Sequence, residues 1–457
     1  MLIDRIKVDK LHGYLSYDIK LNDKLTFIHG INGTGKTSLV LSVISLVQPD
    51  LRWLLTTEFS SIDAKFESNG EKFSASCIQN DEIIRCKISK GRKELGSWEY
   101  SKIERDNLIR IFEEDDSPTR ERAESYFEKI DEDFSRSTYF RAIQTVPTPL
   151  FLGLERTSVR RRLTLGRSFR HGPRWRQRVR FGPLAMGVSL AERLIEEKYS
   201  QMTALRKRLD SDFRKKLILT VFETGEPGRI FGEFWPDRAL LRKYKSIAEK
   251  VPPILKRIDF VDSDLKRYIE PFFSQLIDVA ETLIEKHPSP GDYDKMSSED
   301  RKLVTKWIEI STRLPILDRI SALIEEYEAN EKHVYFDTVR FCDLINEFFV
   351  DSNKKISITE TGNVSIMLPN KKCQTPQDLS SGEMQIFLLI AHVIFNEDIE
   401  RANCLIVDEP EISLHVQWQE KFVDAILSAN PNMQYIMATH SPAIIGDRVT
   451  ECIAIHQ

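Results

Sequence analysis

Gly30-Ile31-Asn32-Gly33-Thr34-Gly35-Lys36-Thr37 satisfies the pattern G-x-x-x-x-G-K-[ST] in full. A compact apolar run at residues 25–28 precedes it and an apolar helical run at residues 38–47 follows. Strand, glycine loop and helix in that order is the context in which such a loop wraps phosphate oxygens. The glycines let successive main-chain N–H groups converge, and the positive end of the helix faces the same point. The motif assigns Lys36 to the β- and γ-phosphates and the Thr37 hydroxyl to Mg2+, with Asn32, Gly33, Thr34, Gly35 and Ser38 around the nucleotide. A glycine turn ahead of a helix, with no nucleotide, is the plain alternative, and the flanking strand and helix weigh against it.

Outward from the loop, the chain has 457 residues, 66 Lys+Arg against 70 Asp+Glu, a formal charge of -4 and 41% apolar residues. That is enough for two or three domains with a large core, and it argues against wholesale disorder. The longest apolar runs, residues 39–47 and 386–395, reach about half of the roughly 20 residues a membrane span needs. Residues 1–10 alternate charge with Ile and Val, unlike a secretory signal, so a cytoplasmic protein with no membrane partner is expected. The six cysteines form no C-x-x-C pair, which speaks against a zinc site or a disulfide framework. Near-neutral charge excludes a generally basic nucleic-acid binder and leaves only a local patch.

Alternation predicts strands at residues 3–8, 14–21 and 25–28 and a β-rich region over residues 55–100. A strand is expected at residues 150–154, after Pro147 and Pro149. A helix capped by Ser189 opens a helical region that runs to about residue 349, broken at residues 225–228, 252–253 and 287–290. A hairpin at residues 356–358 and 364–368 follows. Buried-type strands at residues 404–407, 433–438 and 452–455 alternate with helices that end near residue 395 and cover residues 416–427.

The strand at residues 404–407 ends in Asp408 and Glu409. At a strand tip Asp408 can hold a water of a bound Mg2+, and Glu409 can orient and deprotonate an attacking water. The two carboxylates could instead cap a surface helix, since Pro410 follows. Leu379-Ser380-Ser381-Gly382-Glu383 stands about 25 residues upstream and on its own is a serine-capped helix start.

Together these segments resemble the ABC-type ATPases of the SMC, Rad50 and RecF group, whose signature sequence Leu379 to Glu383 matches in an L-S-S-G-E variant. The resemblance covers roughly residues 1–155 and 345–457. It implies ATP and Mg2+ as cofactors and self-association, as a dimer or a ring of dimers. Ser380, Ser381, Gly382 and Glu383 of one copy would cap the γ-phosphate of ATP held by another. It further implies that Ser413-Leu414-His415 is the D-loop, that His440 in Thr439-His440-Ser441-Pro442 senses the γ-phosphate, and that Gln144 is the Q-loop glutamine. His12 stands where many relatives carry an arginine near the nucleotide. Catalysis would rest on Glu409, Lys36 and His440, with Thr37 and Asp408 on the metal.

The run Asp408-Glu409-Pro410-Glu411-Ile412-Ser413-Leu414-His415 is closest to the D-E-P-E-x-x-L-H form of the AAA15/AAA21 and OLD-nuclease ATPases. OLD nucleases add a TOPRIM nuclease domain, for which the 17 residues after His440 leave no room, so an effector on a separate chain is expected. ATPase components of two-gene antiphage systems of the PARIS and Septu kind are similar, with a TOPRIM-like or an HNH nuclease as partner. The implied function is an ATPase subunit that recognises a phage trigger protein or DNA and controls a nuclease or toxin. The alternatives are a repair ATPase acting on DNA ends or gaps, and an ATP-gated scaffold.

Residues 156–180 hold ten arginines and no acid, among them Arg167, Arg170, Arg174, Arg176, Arg178 and Arg180, with Phe169 and Trp175 interleaved. Arginine favours bidentate recognition of phosphate or carboxylate, so this segment is a candidate site for DNA or an acidic protein. Facing an acidic surface of the same or a neighbouring subunit, or lying near ATP, would use the same residues.

The expected fold is α/β: an ABC-type P-loop ATPase head assembled from both chain ends around an inserted helical domain. The boundaries expected are 1–155 for the N-terminal lobe, 156–188 for the arginine-rich connection, 189–345 for the insertion and 346–457 for the C-terminal lobe. The Pro and Gly breaks favour a short, interrupted lobe over a long coiled coil.

Overall fold

The computed structural model describes residues 1–106, 117–153, 183–222, 235–258, 263–287 and 296–455. The strands are β1 Leu2–Leu11, β2 Leu15–Lys20, β3 Leu25–His29, β4 Ser61–Ser68, β5 Glu71–Gln79, β6 Ile83–Lys90, β7 Lys93–Ser101, β8 Leu150–Leu152, β9 Lys355–Ile358, β10 Val364–Met367, β11 Cys373–Gln374, β12 Cys404–Asp408, β13 Gln434–Thr439 and β14 Cys452–Ala454. The chain divides into two compact units, Met1–Lys198 with Asp337–Gln457, and Tyr199–Phe336.

In the first unit β14-β3-β13-β12-β8 form a five-stranded sheet whose pairs are all parallel. Its strands come from both ends of the chain, so neither end has a sheet without the other. β12 and β13 are buried along their whole length, as parallel strands covered on both faces must be. The strand period of two sorts their side chains. Ile28, Ile406, Ile436 and Ala438 join one core with the helix Lys36–Val47 and the six-stranded antiparallel sheet β2-β1-β4-β5-β6-β7. Phe27, Leu405, Val407, Tyr435 and Met437 join the other with the helices Ser381–Phe395 and Val416–Ala429. The α/β architecture with a helical insertion is therefore as expected. A three-stranded sheet, β11-β10-β9, contains the expected hairpin and leads to the helix Ser381–Phe395.

The second unit is helical. The helices Arg238–Arg257, Ser263–Lys286 and Ser298–Ser311 share a core with parts of Pro183–Phe222 and Leu314–Phe349, around Tyr244, Leu276, Trp307 and Tyr327. Two buried tyrosines find acceptors: Tyr244 Oη donates to Asp318 at 2.8 Å and Tyr327 Oη to Asp210 at 2.7 Å. Burial, reinforced by those carboxylates, pushes both phenols well up.

Two expectations are corrected. The helix expected from Ser189 begins at Pro183, a residue suited to a first helical position, and Ser189 bonds back to the Ala185 carbonyl at 3.1 Å inside it. Pro252 and Pro253 do not end a helix but lie within Arg238–Arg257. They remove two ladder hydrogen bonds, yet the apolar face of Tyr244, Ile247, Val251, Ile254 and Leu255 stays buried through them, and that burial outweighs the loss. Among the described residues no helix is long and apolar enough to cross a membrane.

Candidate functional site

The register of the parallel sheet assembles the site. Asp408 pairs with Ala438, Ala438 with Ile28, and Thr439 with His29, so β12, β13 and β3 end level. Their carboxyl ends therefore present Asp408-Glu409, His440 and the glycine loop along one edge, where open parallel sheets bind ligands.

The loop itself is set by left-handed backbone at Gly33 (φ 91°) and Gly35 (φ 76°), with Gly35 as the cap of the helix Lys36–Val47. At φ 76° any side chain at Gly35 would be strained, and its Cβ would also meet Leu15 Cδ1 on β2 at 2.6 Å, so glycine is favoured there. Tyr17 Oη donates to the Thr34 carbonyl, and Thr34 Oγ1 donates to the Ile31 carbonyl at 2.9 Å. Lys36 is 5% exposed and its Nζ donates to the carbonyls of Gly30 (2.7 Å) and Ile31 (3.1 Å). The ammonium is thus folded over the loop mouth, where first-turn N–H groups have no partner within the helix. Ser38 Oγ lies 2.9 Å from His12 Nε2, so the β1–β2 turn is tied to the same turn of helix. Asn32 is exposed.

Asp408 is 4% exposed and neither carboxylate oxygen has a hydrogen bond of good geometry. Burial pushes its pKa up to about 6, Glu409 and Glu411 push the same way, and the nearby Thr37 hydroxyl and Lys36 ammonium offset part of the rise. Thr37 is close enough to act on the carboxylate without being aligned to it. Two buried, unpartnered carboxylate oxygens beside a threonine hydroxyl are hard oxygen donors that lack a positive partner, which fits Mg2+.

Beyond the strand tip Glu409 takes a left-handed backbone (φ 51°), an arrangement that costs roughly 1–3 kcal/mol in a non-glycine residue. Its N–H still donates to the Ala438 carbonyl at 2.8 Å, extending the ladder by one residue. This turn brings Glu409 Oε2 to 3.4 Å from His440 Nδ1. Glu411, which the sequence reading quoted within a motif but gave no role, is the hub. Its Oε1 accepts from the His440 main-chain N–H at 2.8 Å and lies 2.9 Å from His440 Nδ1, and its Oε2 accepts from Thr439 Oγ1 at 2.8 Å. The signal was an acidic residue two places beyond Glu409, followed by an apolar one.

The segment Ser413-Leu414-His415, expected to be the D-loop, is coupled to the same cluster. Gln419 Nε2 donates to the Leu414 carbonyl at 2.9 Å, and its Oε1 accepts from Ser441 Oγ at 2.6 Å. Gly382 faces the Ser413 carbonyl, which an added Cβ would approach to 2.5 Å. Gln385 Nε2 donates to the Pro410 carbonyl at 2.8 Å. Ser380 caps the helix Ser381–Phe395 in a capping box with Glu383, whose carboxylate also takes Lys354 Nζ at 2.8 and 2.9 Å. Burial works to raise the Glu383 pKa, but Lys354 and the capping groups of Ser380 outweigh it and hold it below the ordinary value. Of the four residues expected to form the signature, Ser380 and Ser381 are exposed and Gly382 and Glu383 are buried. Among the described residues no hydrogen bond joins them to the phosphate loop of the same chain.

The structure does not bring Gln144 to the phosphate loop. Gln144 is exposed at the end of the helix Thr138–Ile143. Around it, Tyr139 Oη donates to the Leu46 carbonyl and Gln48 Nε2 to the Pro149 carbonyl, both at the far end of the twelve-residue helix Lys36–Val47. At 1.5 Å per residue that is about 18 Å from Lys36. Gln144 precedes β8, and there the chain approaches the edge of the sheet opposite the glycine loop. Arg167, Arg170, Arg174, Arg176, Arg178 and Arg180 lie outside the described residues.

Residues 306–445 match the family model of the AAA ATPase domain. Over 152 residues the chain is 28% identical to a protein named Retron Vc95 probable ATPase, from Vibrio cholerae serotype O1 biovar El Tor; the match covers 30% of this chain and 29% of that protein. The chain thus spans under a third of that relative's length. Among solved structures, an Smc head domain with an extended coiled coil bound to the C-terminal domain of ScpA, from Pyrococcus furiosus, aligns over 99% of this chain and 93% of its own at 11% identity and a TM-score of 0.36. An Smc head domain with a coiled coil and joint, from Pyrococcus yayanosii, aligns over 99% and 94% at 14% identity and a TM-score of 0.34.

Proposed function

We propose that this chain is a Mg2+-dependent ATPase that works as a self-associated sensor in antiphage defence and controls a nuclease or toxin on a separate chain. One observation carries the ATPase reading: Lys36 and Thr37, Asp408 and Glu409, and His440 stand at the level ends of three neighbouring parallel strands. No single motif accounts for that convergence.

In this reading ATP phosphates take the place of the Gly30 and Ile31 carbonyls as partners of Lys36. Thr37 and Asp408 would hold Mg2+, which neutralises charge on the phosphate oxygens. Glu409, turned out of the strand by its left-handed backbone, takes the proton of the attacking water, and His440, fixed by Glu411, meets the γ-phosphate. The exposed Ser380 and Ser381 complete the site of a second copy. The partial likeness to a retron's probable ATPase supports the defence reading over repair. The arginine-rich segment of residues 156–180 is the proposed contact for an anionic trigger, either DNA or an acidic phage protein.

The test is purification of the wild type and Glu409→Gln from the natural gene neighbourhood, with hydrolysis measured with and without DNA. Mg2+-dependent turnover abolished by Glu409→Gln, together with a stably co-eluting second protein, is the expected result. Strong stimulation by DNA ends and no partner in either preparation would replace the defence reading with repair.

A further inference from the structure

We propose that Gln385, in the first turn and a half of the helix Ser381–Phe395, supplies the side-chain amide that holds a water of the hydrated Mg2+ beside Asp408. The proposal rests on the ATPase reading above and adds a positioning residue to it.

Gln385 is 4% exposed and lines a small cleft with Gly153, Val407, Asp408, Glu409 and Ile412. Its Nε2 donates to the Pro410 carbonyl at 2.8 Å, whereas its Oε1 is buried with no partner. The amide is not free to turn over, since a flip would set its oxygen against the Pro410 carbonyl oxygen. Oε1 is therefore fixed as an acceptor. Asp408 lines the same cleft, and both of its carboxylate oxygens are also buried and unpartnered.

Each buried acceptor left unmet costs roughly 1–3 kcal/mol, and a brace for Pro410 alone would require only the donor half of the amide. Three unmet acceptors on two residues of one cleft call for a ligand that presents hydrogens and no further lone pair. A phosphate oxygen would be repelled. A water bound to a cation through its lone pair has both hydrogens to offer, one for Asp408 and one for Gln385. Because Pro410 follows Glu409 directly, the amide that takes this water also fixes the turn that carries the proposed base.

The experiment measures affinity for a fluorescent ATP analogue, with Mg2+ and with EDTA, in the full chain. Gln385→Leu removes the acceptor and the donor, whereas Gln385→Glu in its protonated form keeps both, an O–H toward the Pro410 carbonyl and an oxygen toward the water. With Gln385→Leu the metal-free affinity is expected to stay within about twofold of the wild type, and the gain on adding Mg2+ to fall about tenfold, the worth of one charge-assisted hydrogen bond. Gln385→Glu is expected to keep most of that gain. An undiminished gain in Gln385→Leu, an equal loss in both variants, or a loss in EDTA accompanied by a lower melting temperature would each make Gln385 a brace for Pro410 and overturn the proposal. Failure of the wild type itself to bind the analogue would instead remove the ATPase reading on which the proposal stands.

Discussion

Glu411 grips His440 twice: one carboxylate oxygen lies 2.8 Å from the histidine's main-chain nitrogen and 2.9 Å from its ring Nδ1. A carboxylate at Nδ1 favours the proton there and leaves Nε2 bare, so Glu411 sets both the position and the tautomer of the histidine proposed as sensor. Glu411→Ala is expected to lower turnover by roughly 10- to 100-fold, as loss of an orienting partner does, with ATP affinity within a few fold of wild type. Glu411→Gln keeps an acceptor for the main-chain N–H and should fall between the two. A turnover unchanged in Glu411→Ala, measured as phosphate release at saturating ATP, would show that His440 needs no such support.

The proposed completion of the site by a second copy predicts rescue by mixing. Lys36→Ala disables the loop in each copy, and Ser381→Arg places bulk on the exposed start of the signature helix without removing the Ser380 cap. Each variant alone should be inactive. Mixed in equal amounts, half of the dimers would pair one intact loop with one intact signature at one of their two sites, restoring about a quarter of wild-type phosphate release. No restoration after confirmed exchange of subunits would place the signature in its own chain's site.

Much of this centre was legible before any coordinates. The glycine loop, the two carboxylates ending β12 and the histidine ending β13 each follow an apolar run short enough to be a buried strand, and parallel sheets align such ends by register. What periodicity does not encode is which of two strand edges a polar residue reaches. Gln144 and Gln385 are both glutamines within a few residues of an apolar element, and only the Tyr139–Leu46 and Gln48–Pro149 hydrogen bonds show that the first lies at the far end. Glu411 was hidden for a related reason. Its partners, Thr439 and His440, are 28 and 29 residues away in sequence. The prolines at 252 and 253 misled because local backbone preference was outvoted by burial of a face visible only in the assembled helical unit.

The Lys354–Glu383 pair predicts a pH-dependent difference in stability. In the wild type the folded Glu383 pKa lies below its ordinary value, so its contribution is full above the unfolded pKa of roughly 4.3 and is lost as pH falls through the folded one. Lys354→Met leaves the buried carboxylate with its capping groups but without the ammonium, at a cost of about 3 kcal/mol near neutrality. Burial would then raise the Glu383 pKa, so the cost is relieved once the group is protonated. Melting temperatures of the two proteins should therefore lie furthest apart at pH 7–8 and converge below about pH 5. A gap that stays constant over this range would mean that Lys354 acts through packing.

Gly382 sets the spacing between the helix Ser381–Phe395 and the segment Ser413-Leu414-His415, proposed as signature and D-loop, because an added Cβ would stand 2.5 Å from the Ser413 main-chain oxygen. The obstacle is backbone in a segment already constrained: Ser413 has φ 66°, and Leu414 next to it is held by Gln419. Gly382→Ala must therefore move the helix, and Gln385 with it, or the D-loop and, through Gln419 and Ser441, the strand end that carries His440. Helix propensity favours alanine over glycine, though by less than the roughly 1 kcal/mol of an interior position, so a change that only concerned the helix would not weaken it. The expected outcome is the reverse in function. ATP affinity, which depends on the glycine loop, should be kept, while turnover falls at least tenfold. A Gly382→Ala protein with wild-type turnover would show that signature and D-loop move independently.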